Sequence, residues 1–194
     1  MKNSEQYTSE KREQLMQRVQ MQMSERRFKH VLGVEETAIA LAKKYGASPE
    51  KASIAALTHD YAKERPDDEF ILVINRDGYD KELLNYGNAI WHGLVGADFV
   101  SRELGITDEE ILSAIRLHTT GAAQMSLLDK IIYVADYIEP GRTFPGVKEA
   151  RELALLDLDE AVAFETKHTL EHLLAQEQKI YPKTIETYNY WVAK

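Results

Sequence analysis

Six histidines and no cysteine set the terms for any chemistry this chain performs. Disulfides, thiolate zinc sites and thiol nucleophiles are excluded, which leaves imidazole and carboxylate as the strong metal donors. His30, His59, His92 and His118 fall one each on four consecutive predicted helices, at apolar or helix-terminal positions. His59 is followed directly by Asp60, and Asp136 interrupts the apolar run from Ile131 to Ile138. One such histidine alone reads as a core residue whose nitrogens find partners, and Asp136 alone as a carboxylate paired with an arginine. Taken together, imidazoles and two carboxylates on successive helices of one bundle are the donor set of a metal site built in a helical core. Zinc, iron and manganese all accept these ligands, and iron is favoured where histidine and carboxylate combine. Neighbours on a helix diverge by ~100°. His59 and Asp60 therefore need a helix end, where they can splay around one metal or serve two ions with the aspartate between them.

The segments that must position these residues are helical almost throughout. Ser48-Pro49 reads as an N-cap followed by proline at the first helical position, and Ala52, Ala55 and Ala56 form a stripe that predicts a helix to about Lys63. The helix before it is expected from about Glu25 to Tyr45, stopped by Gly46. A helix from Asn88 to Leu104 carries His92, with Gly93 and Gly96 read as close-packing positions. Thr107-Asp108-Glu109-Glu110 reads as a capping box before Ile111, Leu112 and Ile115, in a helix that ends at His118. Leu127 to Ile138 forms a further helix until Pro140, Asp157 opens one that runs to about Gln178, and Pro182 starts the last. Pro66-Asp67-Asp68 favours a helix over a strand for Phe70 to Ile74, while 77–88 and 141–146 read as irregular connections. The expected fold class is all-α: a single helical-bundle domain over residues 23–194 with about eight to ten helices, preceded by a helical extension over residues 1–22.

Length and charge bound the partners. The 194 residues, 44% hydrophobic and 29% charged, suit one soluble domain able to bury roughly 70% of its unfolded surface. A formal net charge of -8 argues against broad binding to nucleic acid or anionic membranes, which need a cationic footprint, but leaves room for a local basic pocket. The start lacks an apolar signal-peptide region, and no stretch approaches the ~20 apolar residues of a membrane span. The chain is therefore expected in the cytoplasm.

Rival chemistries fare worse. His168-Thr169-Leu170-Glu171-His172 matches the inverted zinc-protease pattern, but it is short and lies among Glu165, Lys167, Glu177 and Lys179, which reads as a solvated face. There is no nucleophile elbow, no phosphate-binding P-loop and no dinucleotide-binding glycine fingerprint. Tyr188, Tyr190 and Trp191 read as core or an oligomer interface rather than a platform for a base.

The ordered blocks Arg26-Arg27-Phe28-Lys29-His30-Val31, His59-Asp60-Tyr61-Ala62-Lys63, Trp91-His92, Arg116-Leu117-His118-Thr119-Thr120-Gly121, Tyr133-Val134-Ala135-Asp136-Tyr137-Ile138-Glu139-Pro140 and Arg142-Thr143-Phe144-Pro145-Gly146 resemble the HD-domain metal-dependent phosphohydrolases. Within them the resemblance is to the bacterial YqeK family of symmetrical bis(5′-nucleosyl)-tetraphosphatases, over about residues 20–190. It implies an HD-domain fold and cleavage of the small molecule diadenosine tetraphosphate into two ADP. It also implies a homodimer that binds iron, as one or two ions, through His30, His59, Asp60 and Asp136, with manganese or zinc as substitutes. Substrate contacts are implied for Arg27, Asp60, His92, His118, Thr119, Asp136, Arg142 and the segment Lys179, Ile180, Tyr181, Pro182, Lys183 and Thr184. In dinuclear members of the wider superfamily the positions of His92 and His118 hold a second metal.

The chemistry expected from this set is water attack on the β-phosphorus of one ADP half, with the other half leaving as ADP. The metal would lower the pKa of water towards ~7. Asp60 would hold it and orient the nucleophile, and His92 or His118 would protonate or hydrogen-bond the leaving phosphate. Lys63 either neutralises developing charge or is a solvated lysine near a helix end. Two other readings stay open: an HD-domain hydrolase of another nucleotide, and a non-catalytic nucleotide-sensing module. Convergence of the Arg142 loop and the 179–184 segment on one pocket would favour the tetraphosphatase.

Overall fold

Side chains just outside the helices decide where many of them begin. In a computed structural model describing residues 9–193, Ser24, Ser48, Asp108, Ser126 and Asp157 each accept a hydrogen bond from a backbone N–H of the turn that follows. The helices are α1 (Ser9–Gln20), α2 (Glu25–Tyr45), α3 (Pro49–Thr58), α4 (Asp67–Arg76), α5 (Asn88–Leu94) and α6 (Gly96–Leu104). They continue with α7 (Glu109–Leu117), α8 (Leu127–Ile138), α9 (Val147–Leu156), α10 (Leu158–Ala175) and α11 (Pro182–Trp191). A 3₁₀ turn covers Lys81–Asn85, and the described residues contain no strand. The all-α class is as expected, with eleven α-helices among the described residues rather than eight to ten.

The differences have local causes. The helix carrying His59 stops at Thr58, five residues short of Lys63. There the Thr58 hydroxyl bonds Ile54 O (2.7 Å) and the His59 ring takes Ala56 O (2.6 Å), and the chain continues in three-residue turns at Tyr61, Lys63 and Arg65. The expected helix from Asn88 to Leu104 breaks at Val95 into α5 and α6. A Cβ on Gly93 would meet Ile115 O and the Thr119 hydroxyl at 3.3 Å, and one on Gly96 would meet Ala62 Cβ at 3.3 Å, so both glycines do mark close packing. At α7 the cap is Asp108 rather than Thr107. A full capping box occurs instead between Ser126 and Asp129 at the head of α8.

Helix α8 is the hub, packing against α2, α3, α7, α9 and α10. It buries Leu128, Ile131, Ile132 and Ala135, the stripe of the 3.6-residue period, and also Tyr133, Val134 and Ile138, as suits a helix packed on several sides. The α2–α3 contact is lined by Ala38, Ala42, Ala52, Ala55 and Ala56, all fully buried, whose small side chains let the two backbones approach closely. Within the expected N-terminal extension, Leu15 and Val19 of α1 belong to the same core. Arg12 of α1 pairs with the buried Glu35, which also accepts the Ser53 hydroxyl at 2.6 Å. Residues 1–8 lie outside the described residues. No described helix is long and apolar enough to cross a membrane.

If α8 is the hub, Ile131→Ala should destabilise the metal-free protein by about 3 kcal/mol in denaturant unfolding. A loss below about 1 kcal/mol would place the core elsewhere.

Candidate metal centre and its cleft

Each centre histidine is aimed by a bond from its Nδ1. His59 Nδ1 donates to Ala56 O (2.6 Å), His92 Nδ1 to Asn88 O (2.7 Å) and His118 Nδ1 to Ile115 O (2.8 Å). These carbonyls belong to each residue's own helix, and a carbonyl can only accept. His30 of α2 points its Nδ1 at Glu139 Oε1, 3.2 Å away. The rings of His59, His92 and His118 therefore carry the proton on Nδ1 and turn the Nε2 lone pair inwards, whereas His30 stands between two carboxylates, Glu139 at Nδ1 and Asp136 at Nε2.

The lone pairs meet two carboxylates. His30 Nε2 lies 3.0 Å from Asp136 Oδ1 and 3.6 Å from Asp60 Oδ2, and His59 Nε2 lies 3.4 Å from Asp60 Oδ2. On the other side of Asp60, its Oδ1 is 3.4 Å from His92 Nε2 and 3.8 Å from His118 Nε2. The last two nitrogens face each other at 3.0 Å, with the Thr119 hydroxyl 3.2 and 3.1 Å away. The Nε2 atoms of His30 and His59 are buried with no hydrogen-bond partner. Three sets of ligand atoms lie within 4.8 Å of one another: His30, His59 and Asp60; His59, His118 and Asp136; Asp60, His92 and His118. Orphaned lone pairs, two carboxylates and this spacing fit a divalent cation, with Asp60 placed between two adjacent positions.

The charge states agree with that reading. Burial opposes ionisation of Asp60, but the imidazoles of His59, His92 and His118 outweigh it and hold its carboxyl well below the usual carboxylate range. Asp136 is likewise held far down against burial, by His30, His59 and Arg142. Burial is the first cause of the depressed pKa of His92, followed by the Lys63 ammonium and His118. His118 is brought to about 4, by burial and then by His59. His59 moves upwards because Asp60 outweighs its burial. Lys63 is lowered by burial, and its ammonium lies 3.3 Å from both ring nitrogens of His92.

A cleft of about 750 Å³ opens beside the centre, lined in part by Arg26, Arg27, Lys29, His30, Glu139 and Arg142. Arg27 donates to Asp60 Oδ2 (2.8 Å), and Arg142 donates to Asp136 Oδ1 (2.7 Å) and to its backbone oxygen (3.0 Å). The structure thus brings together Arg27, His30, His59, Asp60, Lys63, His92, His118, Thr119, Asp136 and Arg142. The 179–184 segment stands apart. Lys179, Tyr181 and Thr184 line a second cavity of about 260 Å³ with Tyr86, Ala89 and Ile90, while Ile180, Pro182 and Lys183 do not line it. Helix α5 contributes Ala89 and Ile90 to the second cavity and His92 to the centre. Helix α11 is seated on the turn after His118, where Thr187 donates to Thr120 O (2.9 Å) over Gly121.

Two expectations need correction or extension. Glu165 does not lie on a solvated face: it is buried, its Oε2 has no partner, and burial followed by Asp136 pushes its carboxyl well above the usual range. His168 stacks on Phe164 and bonds Phe164 O (2.8 Å), and every metal-capable cluster among the described residues excludes His168 and His172. Glu139, buried beside His30, was visible only as one more letter before a proline.

A family model described as the HD domain matches residues 27–141. The chain is 48% identical to the symmetrical bis(5′-nucleosyl)-tetraphosphatase of Bacillus subtilis (strain 168), over 94% of this chain and 98% of that protein. It is 48% identical to the protein of that name from Halalkalibacterium halodurans, over 90% and 93%. Among solved structures it superimposes on a predicted HD superfamily hydrolase involved in NAD metabolism from Clostridium acetobutylicum. The TM-score is 0.88 at 40% identity, covering 92% of this chain and 95% of the other.

The depressed imidazoles give a signed pH response. Between the ordinary histidine value and about 4, unfolded chain binds protons that folded His118 refuses, so its contribution to stability falls as the pH drops through that window. His92 acts in the same direction, and the raised His59 opposes them. The thermal midpoint of metal-free protein should therefore fall from pH 7 to pH 4.5, and less steeply in His118→Asn. Equal slopes in the two proteins would contradict the neutral, buried assignment of His118.

Proposed function

Because this chain belongs to the HD-domain family, and within it to the symmetrical bis(5′-nucleosyl)-tetraphosphatases, we propose that its centre hydrolyses diadenosine tetraphosphate to two ADP. One observation carries the reading from family to residues. Four imidazole Nε2 atoms and two carboxylates converge beside a cleft whose two arginines already rest on those carboxylates.

His30, His59, Asp60 and Asp136 are the residues that would hold a divalent ion, with His92 and His118 available to a second. When bound, such an ion supplies positive charge for phosphate oxygens and a nucleophilic water at neutral pH. Asp60, ionised and lying between the two groups of imidazoles, would orient the attacking water towards the β-phosphorus of one half. The bond from this phosphorus to the bridging oxygen breaks, and the oxygen leaves with the second ADP. Arg27 and Arg142 turn from their carboxylates to the phosphates, for which the planar guanidinium offers paired donors. Lys63 adds a buried charge beside His92. His92 and His118, kept neutral with Nδ1 committed to carbonyls, serve as ligands or hydrogen-bond acceptors better than as proton donors.

The second cavity, with Tyr181 edge-on to Tyr86 at 4.9 Å and Lys179 at its rim, suits the nucleoside of one half. The Arg142 loop and the 179–184 segment line different spaces, so the segment as a substrate contact rests on the family resemblance. Iron as the resident ion belongs to the same proposal, supported by the mixed imidazole–carboxylate donors, which manganese and zinc also satisfy. A cytoplasmic homodimer extends it on the family resemblance.

Asp60→Ala and Asp136→Ala should each reduce turnover of diadenosine tetraphosphate to background while preserving helical circular dichroism. Near-wild-type activity in both variants would sink the assignment. Arg142→Ala should raise KM by about tenfold to a hundredfold, as expected for a lost charge-assisted contact, and lysine at that position should restore little of it.

A further inference from the structure

Three of the four centre imidazoles are aimed by carbonyls of their own helices, whereas His30 is aimed by a side chain from another element. Glu139 follows α8, is 5% exposed, and places Oε1 3.2 Å from His30 Nδ1. Its Oε2 accepts the Gly141 N–H at 2.5 Å. The slot that holds this carboxylate is made by two glycines. A Cβ on Gly33 of α2 would stand 2.6 Å from Oε2, and one on Gly141 would stand 2.9 Å from Oε1. Gly141 is followed by Arg142, whose guanidinium holds Asp136 and passes 3.8 Å from Glu139 Oε1. The backbone of this loop is braced separately by Arg151, which donates to the carbonyls of Ile138, Glu139 and Arg142. The Glu139 side chain thus commits one oxygen to its own loop, at the Gly141 N–H, and directs the other at His30.

We propose that Glu139 is a positioning residue that fixes the proton of His30 on Nδ1, turns the Nε2 lone pair to the metal, and ties that ligand to the Gly141–Arg142 loop. A carboxylate behind a metal-binding imidazole sets its tautomer and orientation and strengthens it as a ligand. Here the second oxygen reaches the loop bearing a phosphate-binding arginine, so one carboxylate places both the ligand and the clamp. Glutamine cannot reproduce this. With its amide oxygen on the Gly141 N–H, its NH₂ meets His30 Nδ1 and favours the tautomer whose proton blocks Nε2.

The inference rests on the metal reading proposed above for His30, and two measurements independent of turnover test it. Nitrogen NMR of metal-free protein should show His30 protonated on Nδ1 in wild type and shifted towards Nε2 in Glu139→Gln. Chelator competition with Mn²⁺ should show binding weakened by about tenfold to a hundredfold in the same variant. Gly33→Ala, which favours the helix while crowding the carboxylate, should also weaken Mn²⁺ binding and carries the test if Glu139→Gln does not fold. At saturating Mn²⁺, KM for diadenosine tetraphosphate should rise more than kcat falls in Glu139→Gln. Wild-type Mn²⁺ affinity together with an unchanged His30 tautomer in the folded variants would overturn the role of Glu139. Wild-type protein that binds no Mn²⁺ would overturn the metal reading itself, and this role with it.

Discussion

Lone pairs pointed at one another repel, and this bundle is organised around several that do. His92 and His118 present Nε2 atoms 3.0 Å apart while both of their Nδ1 protons are committed to carbonyls. His30 and His59 add two buried Nε2 atoms without partners. A cation resolves this arrangement, because it accepts lone pairs and is attracted by Asp60 and Asp136 at once. The helix ends follow from it. His59 and His118 occupy the position just after a helix, where a ring can reach back to its own carbonyl and still face inwards. The small residues between α2 and α3, and Gly93 against α7, bring the backbones close enough for short donor distances.

The same geometry explains how an acidic protein can hold a polyanion. Four of its 24 lysines and arginines, Arg26, Arg27, Lys29 and Arg142, line one cleft, where Arg27 rests on Asp60 and Arg142 on Asp136. The carboxylates preorganise the guanidiniums before substrate arrives and compensate their charge in its absence. Burial favours the neutral form of His92 and His118, which leaves the negative charge of Asp60 and Asp136 to attract a cation.

The types of residue at the centre were legible in the sequence because chemistry constrains them. Histidines and aspartates on predominantly apolar helices have few other uses, and His30, His59, Asp60, His92, His118 and Asp136 do converge. Helix starts near Glu25, at Ser48 and at Pro182 were legible, the last two because capping and proline at the first turn are local signals. The breaks at Thr58 and Val95 were not, since they depend on a ring captured by a carbonyl and on contact with Ala62. Glu139 and Glu165 escaped for a related reason. A glutamate among polar neighbours has the same sequence signature whether it faces water or a histidine, and only the packing of α2, α8 and α10 decides. Residues 179–181 lay outside any periodic signal, and their cavity is assembled from α5, α10 and the segment before α11, which are distant in sequence.

The most direct test is to incubate metal-loaded protein with diadenosine tetraphosphate and separate the products, beside a chelated control. The centre described here predicts ADP as the sole product, lost on chelation. ATP with AMP would contradict attack at the β-phosphorus, and turnover untouched by chelation would contradict the role assigned to the converging histidines.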